Sequence, residues 1–199
     1  ALHIDEKYLS PKNVLFSISD AKNRLIPPEE FPDEGDFRLR QIGRIYVEYQ
    51  RRLETANALD FDDIIMKTVS LLEKHPDIAD HYQKKIRYVC IDEYQDTNGA
   101  QFRLSELLSA GWRNIMVVGD DDQSIYRFRG ANIENILSFD KIYPDARVIK
   151  LEQNYRSTGN ILAAANAVIS HNETRHEKKL WCDAPAGDKI CLHKSENQN

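Results

Sequence analysis

The chain has 199 residues, enough for one or two domains, and its 41% hydrophobic and 30% charged content suits a folded core under a soluble surface. A formal net charge of −5 leaves no global basic footprint, so a nucleic-acid surface would have to be a local groove. Three cysteines without CxxC spacing argue against a disulfide framework and for a reducing, cytoplasmic compartment, and no apolar run approaches the length of a membrane span.

The first residues lack the apolar core of a signal peptide and an initiator Met, which suggests an excised or processed piece. Residues 1–57 read as all-helical. Ser10-Pro11 predicts an N-cap and first helical position, with Val14, Leu15, Ile18, Ala21 and Leu25 on one stripe and Pro27-Pro28 as the stop. A loop over 29–36 precedes a second helix with Ile42, Ile45, Tyr46, Tyr49 and Leu53 on one face. Asp60 is the expected N-cap of a third helix carrying Phe61, Ile64, Ile65 and Leu72.

From residue 58 to 152 short apolar runs alternate with helical patterns. Strands are expected at Tyr88–Ile91, Ile115–Val118 and Val148–Leu151, with helices near 100–109 and 131–139. This alternation argues for an α/β fold with a parallel sheet and crossover helices. Cys90 falls inside the first strand and is expected in the core. Residues 153–199 hold a helix starting after Thr158, a polar stretch, a candidate strand over Lys189–His193 and a polar tail.

Three segments carry chemistry. The first strand runs into Asp92-Glu93-Tyr94-Gln95-Asp96-Thr97-Asn98. In an open parallel sheet ligands bind beyond the carboxyl ends of the strands. There one acid can hold Mg²⁺ against nucleotide phosphates while the other orients or deprotonates a water; acids at a helix N-terminus are the blander reading. The second strand runs into Gly119-Asp120-Asp121-Asp122-Gln123, where Gln123 is an amide able to reach a γ-phosphate or the attacking water. The three aspartates suit a solvated turn better than a metal site, Asp121 above all. Tyr126-Arg127-Phe128-Arg129 interleaves rings with cations, a pattern for stacking on bases while pairing with phosphates, although a plain strand-to-helix connection would look similar. In the third segment, Gln153 to Ser157, Arg156 can act as an arginine finger and Tyr155 can stack on adenine, while Ser157 or Thr158 caps the helix that follows. None of the eight glycines precedes a lysine, so the Gly-Lys of a phosphate-binding loop is missing from the sequence.

In type, order and spacing these segments resemble superfamily 1 DNA helicases of the UvrD/Rep/PcrA kind. Residues 92–98 resemble motif II (the Walker B box), 118–131 motif III and 153–157 motif IV, and Leu59-Asp60-Phe61-Asp62-Asp63 resembles a further segment of the first motor domain. The resemblance implies a partial RecA-like (P-loop NTPase-type) parallel sheet with flanking helices, preceded by an all-helical segment. Residues 1–57 would be the end of domain 1B, 58–152 the second part of 1A and 153–199 the truncated start of 2A. It implies ATP and Mg²⁺ as cofactors. Asp92 would hold the metal through water and Glu93 would be the catalytic base. Gln123 would couple the γ-phosphate to DNA. Tyr126, Phe128 and Arg129 would lie at single-stranded DNA, Tyr155 on the adenine and Arg156 at the γ-phosphate. Phe128 stands where many relatives carry Trp, and Asp121 replaces a small residue.

The parent protein is therefore expected to be an ATP-dependent helicase moving 3′ to 5′ on single strands in DNA repair or replication. This chain alone is expected to be inactive as an ATPase. A motor fragment of a RecB- or AddA-like helicase–nuclease is the alternative, though those usually carry long insertions; a non-enzymatic module binding single-stranded DNA or a protein is another. No membrane partner is expected. A sheet edge left bare by missing strands would favour a homodimer or a segment swap.

Overall fold

A computed structural model describes residues 9–32, 36–172 and 175–194. Expectations for residues 1–8, for 33–35 in the loop over 29–36 and for the tail beyond residue 194 lie outside the described residues. The chain divides into two compact units, 1–136 and 137–199.

The first unit begins with α1 (Pro11–Asn23), capped by the Ser10 hydroxyl with Pro11 in the first turn, as the Ser-Pro pair predicts. Val14, Ile18 and Ala21 are buried, but Leu15 faces out. The helix stops earlier than Pro27-Pro28 requires, because Leu25 turns left-handed at φ 61°; the prolines instead lead into a 3₁₀ turn, Pro28–Glu30. In α2 (Phe37–Thr55), Ile42 and Tyr46 are buried as the stripe predicts. These residues and Leu9 form one apolar cluster, flanked by Ile26, Phe31, Ile45 and Tyr49. The Phe31 and Tyr46 rings meet edge to face at 6.0 Å, and the Tyr46 hydroxyl donates to the Ile26 carbonyl at 3.1 Å.

Next to this cluster lies a buried ionic knot. The Lys22 ammonium, fully buried, sits 2.7 Å from Asp60 Oδ2 and 3.0 Å from Asp63 Oδ1. Asp60 is the N-cap of α3 (Phe61–Lys74) and accepts from the Asp63 N–H at 2.7 Å. Tyr49 donates to the same Asp60 oxygen at 3.0 Å, and Gln50 donates to Asp63. Burial and this bond to Asp60 push the Tyr49 hydroxyl up to about 12. The knot thus joins α1, α2 and α3 at one point.

Next comes α4 (Pro76–Lys85), a helix the apolar pattern does not announce, although Pro76 marks its first turn. Then β1 (Val89–Ile91), α5 (Gly99–Ser109) and β2 (Ile115–Val117) form a parallel pair with a helical crossover, in register Val89↔Ile115, Cys90↔Met116 and Ile91↔Val117. The mixed helical and parallel-strand character agrees with the α/β expectation. Both strands are shorter than their apolar runs, and Tyr88 lies outside β1, exposed. Cys90 is exposed as well, against the expectation of a core residue. Among the described residues the sheet has two strands, so the face that carries Cys90 and Met116 has no layer over it.

The helix expected over 131–139 is broken into α6 (Glu134–Leu137) and α7 (Phe139–Ile142), because Ser138 (φ −107°, ψ 8°) leaves helical geometry. In the second unit neither Val148–Leu151 nor Lys189–His193 forms a strand. Neither has a ladder partner among the described residues, and Leu151 and Leu192 are largely exposed. An isolated parallel bridge, Gln153 to Trp181, is what strand pairing remains there. The helix after Thr158 is present as α8 (Gly159–Ile169). No helix among the described residues is long and apolar enough to cross a membrane.

Removing one member of a buried ion cluster leaves the others uncompensated. Lys22→Met should therefore lower unfolding free energy by about 3–5 kcal/mol, measured by urea denaturation. In Asp60, burial raises the carboxyl, but Lys22, the Asp63 N–H and Tyr49 together hold it below its ordinary value. Its folded pKa is thus below the unfolded one, so its contribution is present above about pH 3.9 and is lost as pH falls through the folded value. Asp60→Asn should flatten that acid arm of the stability curve.

Candidate functional site

The backbone turns sharply where β1 ends. Asp92 Oδ1 accepts from the Glu93 N–H at 2.9 Å, and Glu93 itself is left-handed at φ 51°, ψ 42°. That conformation costs a side-chain-bearing residue about 1–2 kcal/mol. It is enforced from the next residue on: the Tyr94 N–H donates to the Val118 carbonyl at 3.0 Å, and the Tyr94 side chain is completely buried. A 3₁₀ turn, Tyr94–Asp96, then leads to Asn98, which caps α5 in a reciprocal capping box with Gln101. Asp92 and Glu93 are both exposed at the strand end.

Gln95, to which the sequence assigns no role, connects this loop to the next. It is 1% exposed. Its Nε2 donates to Glu93 Oε2 at 2.8 Å, its Oε1 accepts from the Asp120 N–H at 3.0 Å, and its carbonyl accepts from the Ser124 hydroxyl at 3.3 Å. A carboxylate on one side and an N–H on the other require a side chain with both donor and acceptor, which an amide supplies and an acid does not. That was the available signal: a lone amide among acids. Gly119 makes room for it, since a Cβ there would stand 2.6 Å from Gln95 Oε1 and 2.8 Å from Ile136 Cδ1.

The loop after β2 is a 3₁₀ turn, Asp121–Gln123, capped by Asp120, whose Oδ1 accepts from the Asp122 N–H at 3.0 Å. Asp120 Oδ2 accepts from Gln123 Nε2 at 2.7 Å, so the Gln123 amide is parked on a neighbouring carboxylate. Asp121 is buried rather than solvated, because the run closes into a turn instead of an open loop. The three carboxylates lie within 4.8 Å of one another, yet Asp120 is already engaged by two protein donors.

A second 3₁₀ turn, Arg127–Arg129, is closed by Gly130 at φ 86°, a conformation that favours glycine. The Arg129 guanidinium lies 5.2 Å from the Tyr126 ring centroid and 5.5 Å from that of Phe128. Phe128 is 62% exposed. It lines a cleft of about 450 Å³ with Arg129, Asn98 and Asn23, and with two rings the sequence reading gave no binding role, Phe16 and Phe61. Phe61 and Ile64, expected on the apolar face of α3, are exposed instead (Phe61 at 90%), because the helix buries Asp63, Val69 and Leu72. Behind the turn, the Asn132 N–H and the buried Asn135 amide donate to the Thr97 carbonyl at 2.9 and 3.1 Å, which fastens this segment to the acid loop.

The first unit therefore gathers Asp92, Glu93, Gln123, Tyr126, Phe128 and Arg129. Tyr155 and Arg156 belong to the second unit. There Asn154 Oδ1 accepts from the Arg156 and Ser157 N–H groups at 3.0 and 2.8 Å. Tyr155 is 86% exposed and donates to Gln153 Oε1 at 2.7 Å. Thr158 is the N-cap of α8, but its hydroxyl makes no capping bond. The Pro185 and Ala186 carbonyls accept from Gly159 and Asn160 instead.

Gln95→Ala removes the link between the two loops and should cost about 1–3 kcal/mol in urea unfolding. Gly119→Ala should lower stability in the same direction by displacing the amide, and an unchanged transition midpoint in both variants would contradict the clamp.

The UvrD/REP helicase N-terminal domain model matches residues 1–144, and the UvrD-like helicase C-terminal domain model matches residues 149–199. The chain is 48% identical over 197 residues to ATP-dependent DNA helicase PcrA of Bacillus subtilis, covering 98% of this chain and 27% of that protein. It is 51% identical over 189 residues to PcrA of Staphylococcus epidermidis (94% and 26%) and 48% identical over 209 residues to ATP-dependent DNA helicase UvrD1 of Mycobacterium tuberculosis (100% and 27%). It thus spans about a quarter of the length of these curated relatives. With both models in sequence order and the acid pair, the amide clamp and the aromatic–cation turn in place, the chain belongs to the UvrD/REP helicase family.

Proposed function

We propose that this chain is part of an ATP-driven motor that moves 3′ to 5′ along single-stranded DNA in the cytoplasm. The reading is carried by one observation: the buried Gln95 holds the Glu93 carboxylate with one end and the backbone of the Gly119–Gln123 loop with the other. A strand-end acid and a loop amide joined in this way suit a site in which phosphate chemistry must be felt at a distance. The fold assigned is RecA-like. Residues 58–152 are the second part of domain 1A, 1–57 the end of 1B and 153–199 the start of 2A.

Glu93 is the base that takes a proton from the attacking water. Its exposure lets a nucleotide reach it, and its bond from Gln95 fixes one carboxylate oxygen. Asp92 fits a Mg²⁺ ion: it is an exposed hard-oxygen donor, engaged here by one backbone N–H, and Mg²⁺ is commonly held by one or two carboxylates together with waters and phosphates. The ion, when bound, neutralises phosphate charge. Gln123 senses the γ-phosphate by exchanging Asp120 for it. Tyr155 stacks on the adenine and Arg156 approaches the γ-phosphate, as the family resemblance implies.

Tyr126, Phe128 and Arg129 form the strand-binding side. The cleft beside them is lined by three phenylalanine rings but also by Asp20 and Asp62. Carboxylates repel phosphates, so bases enter this cleft and the sugar–phosphate chain runs outside it, near the arginines.

In the whole helicase, Glu93→Gln should lower the ATP turnover number at least about 100-fold with DNA affinity retained. Phe128→Ala should weaken single-strand binding by about 1–3 kcal/mol, read by fluorescence anisotropy, with the slope against salt unchanged because no phosphate contact is lost. The 199-residue chain alone should release no phosphate from ATP; DNA-stimulated release abolished by Glu93→Gln would overturn that expectation.

A further inference from the structure

We infer that Asn23, the last residue of α1, is a positioning residue that locks the acid loop and the aromatic–cation turn into one register. The inference rests on the functional reading above, which places nucleotide chemistry at the first element and the DNA strand at the second.

Asn23 touches both. Its Oδ1 accepts from Asn98 Nδ2 at 2.8 Å, across 75 residues of chain. Asn98 is the N-cap of α5 and ends the acid loop two residues after Asp96. The Asn23 carbonyl lies 3.2 Å from where a Cβ on Gly99 would stand, so the backbones pack closely there as well. On its other side the Asn23 amide covers Gly130, at 3.4–3.7 Å from the position of a Cβ there. Gly130 is the left-handed residue that closes the turn bearing Phe128 and Arg129. One side chain is thus held between the cap residue that ends one loop and the glycine that closes the turn of the other.

Its own position is fixed from the opposite direction. Lys22, the preceding residue, is anchored to Asp60 and Asp63, the carboxylates at the start of α3. Between those carboxylates stands Phe61, which shares the cleft with Phe128 and with Asn23 itself. A shift of the aromatic turn on binding a strand would press on Asn23. Lys22 anchors α1, so Asn23, whose amide also donates to Ser19 Oγ at 3.5 Å within the same helix, meets the acid loop through Asn98. The Thr97–Asn132 and Thr97–Asn135 bonds join the same two segments on another side, so Asn23 sets their register rather than their attachment.

The test is hydrogen–deuterium exchange on the 199-residue chain with Asn23→Ala and Asn23→Asp. Loss of one hydrogen bond of about 1 kcal/mol corresponds to about a fivefold rise in exchange. For Asn23→Ala that rise is expected in two separated segments, 97–101 and 128–132, with the amides of α2 unchanged. Asn23→Asp keeps an oxygen that can accept from Asn98 and should restore protection over 97–101. Faster exchange in one of the two segments alone, in neither, or uniformly along the chain would overturn the inference, as would a failure of Asp to rescue. Anisotropy with a labelled oligothymidine at low salt tests the underlying reading separately. In the whole helicase, unsubstituted against Phe128→Ala, unchanged binding of the same oligonucleotide removes the strand-binding role of the Phe128 turn, and with it the functional meaning of the joint, even where the exchange pattern holds.

Discussion

One buried ammonium group constrains how the first three helices of the first unit meet. Lys22 has no exposure, and the two carboxylates beside it are supplied by the first turn of another helix. Burying a charge in apolar surroundings is very costly unless it is paired and hydrogen-bonded. Once α1 and α2 have packed through Ile18, Ala21 and Tyr46, α3 has one placement that answers Lys22, with Asp60 and Asp63 against it. The polar cluster adds little net stability over an apolar core of the same shape, and its contribution is geometric. The hydrophobic cluster brings the helices together without specifying rotation or register, and the ion pairs specify both.

The functional loops take their positions from that arrangement. Asp60 caps α3 and so fixes Phe61 at the cleft, while Asn23, next to Lys22, reaches the cap of α5. The acid pair is placed from the other side by β1, and the Gln95 amide relates it to the loop after β2. Two polar devices, one an ion knot and one an amide bridge, therefore hold the exposed Phe128 beside Arg129 and a pair of acids in a common frame. The parallel pair of three-residue strands is too small to do this alone.

What the sequence shows and what it hides divide along physical lines. Helices α1, α2 and α3 are legible because apolar residues recur along them and because caps are local chemistry: Ser10-Pro11 and Asp60 act over three or four residues, whereas α4 buries no residue and leaves no apolar stripe to read. The ends of β1 and β2 are legible because apolar runs meet acids and Gly. Strands at 148–151 and 189–193 are read from apolarity, but a strand exists through its partner, and the described residues supply none. Cys90 fails for the same reason, since a side chain in a strand is buried by whatever layer covers it. Asp121 reads as solvated because Asp usually is, and a turn closed by Asp120 covers it. Gln95 and Asn23 are hidden more deeply. Each acts through a partner distant along the chain, and no periodicity or cap signature marks a residue whose role is to touch two loops.

The left-handed Glu93 gains a meaning from this arrangement. A residue with a side chain does not keep φ 51° unless its surroundings impose it, and here they do so twice. Tyr94 is bonded to Val118 through the backbone, and Gln95 holds the Glu93 carboxylate from below. An ordinary extended conformation at Glu93 would carry its carboxylate away from Gln95 and break the link to Asp120. The strain at one backbone position is thus tied to the geometry of the neighbouring loop, where Gln123 rests on Asp120. Drawing Gln123 off Asp120 would alter the charge beside the Asp120 N–H that Gln95 accepts from. The Glu93 carboxylate and the loop after β2 are thus joined through a single buried amide.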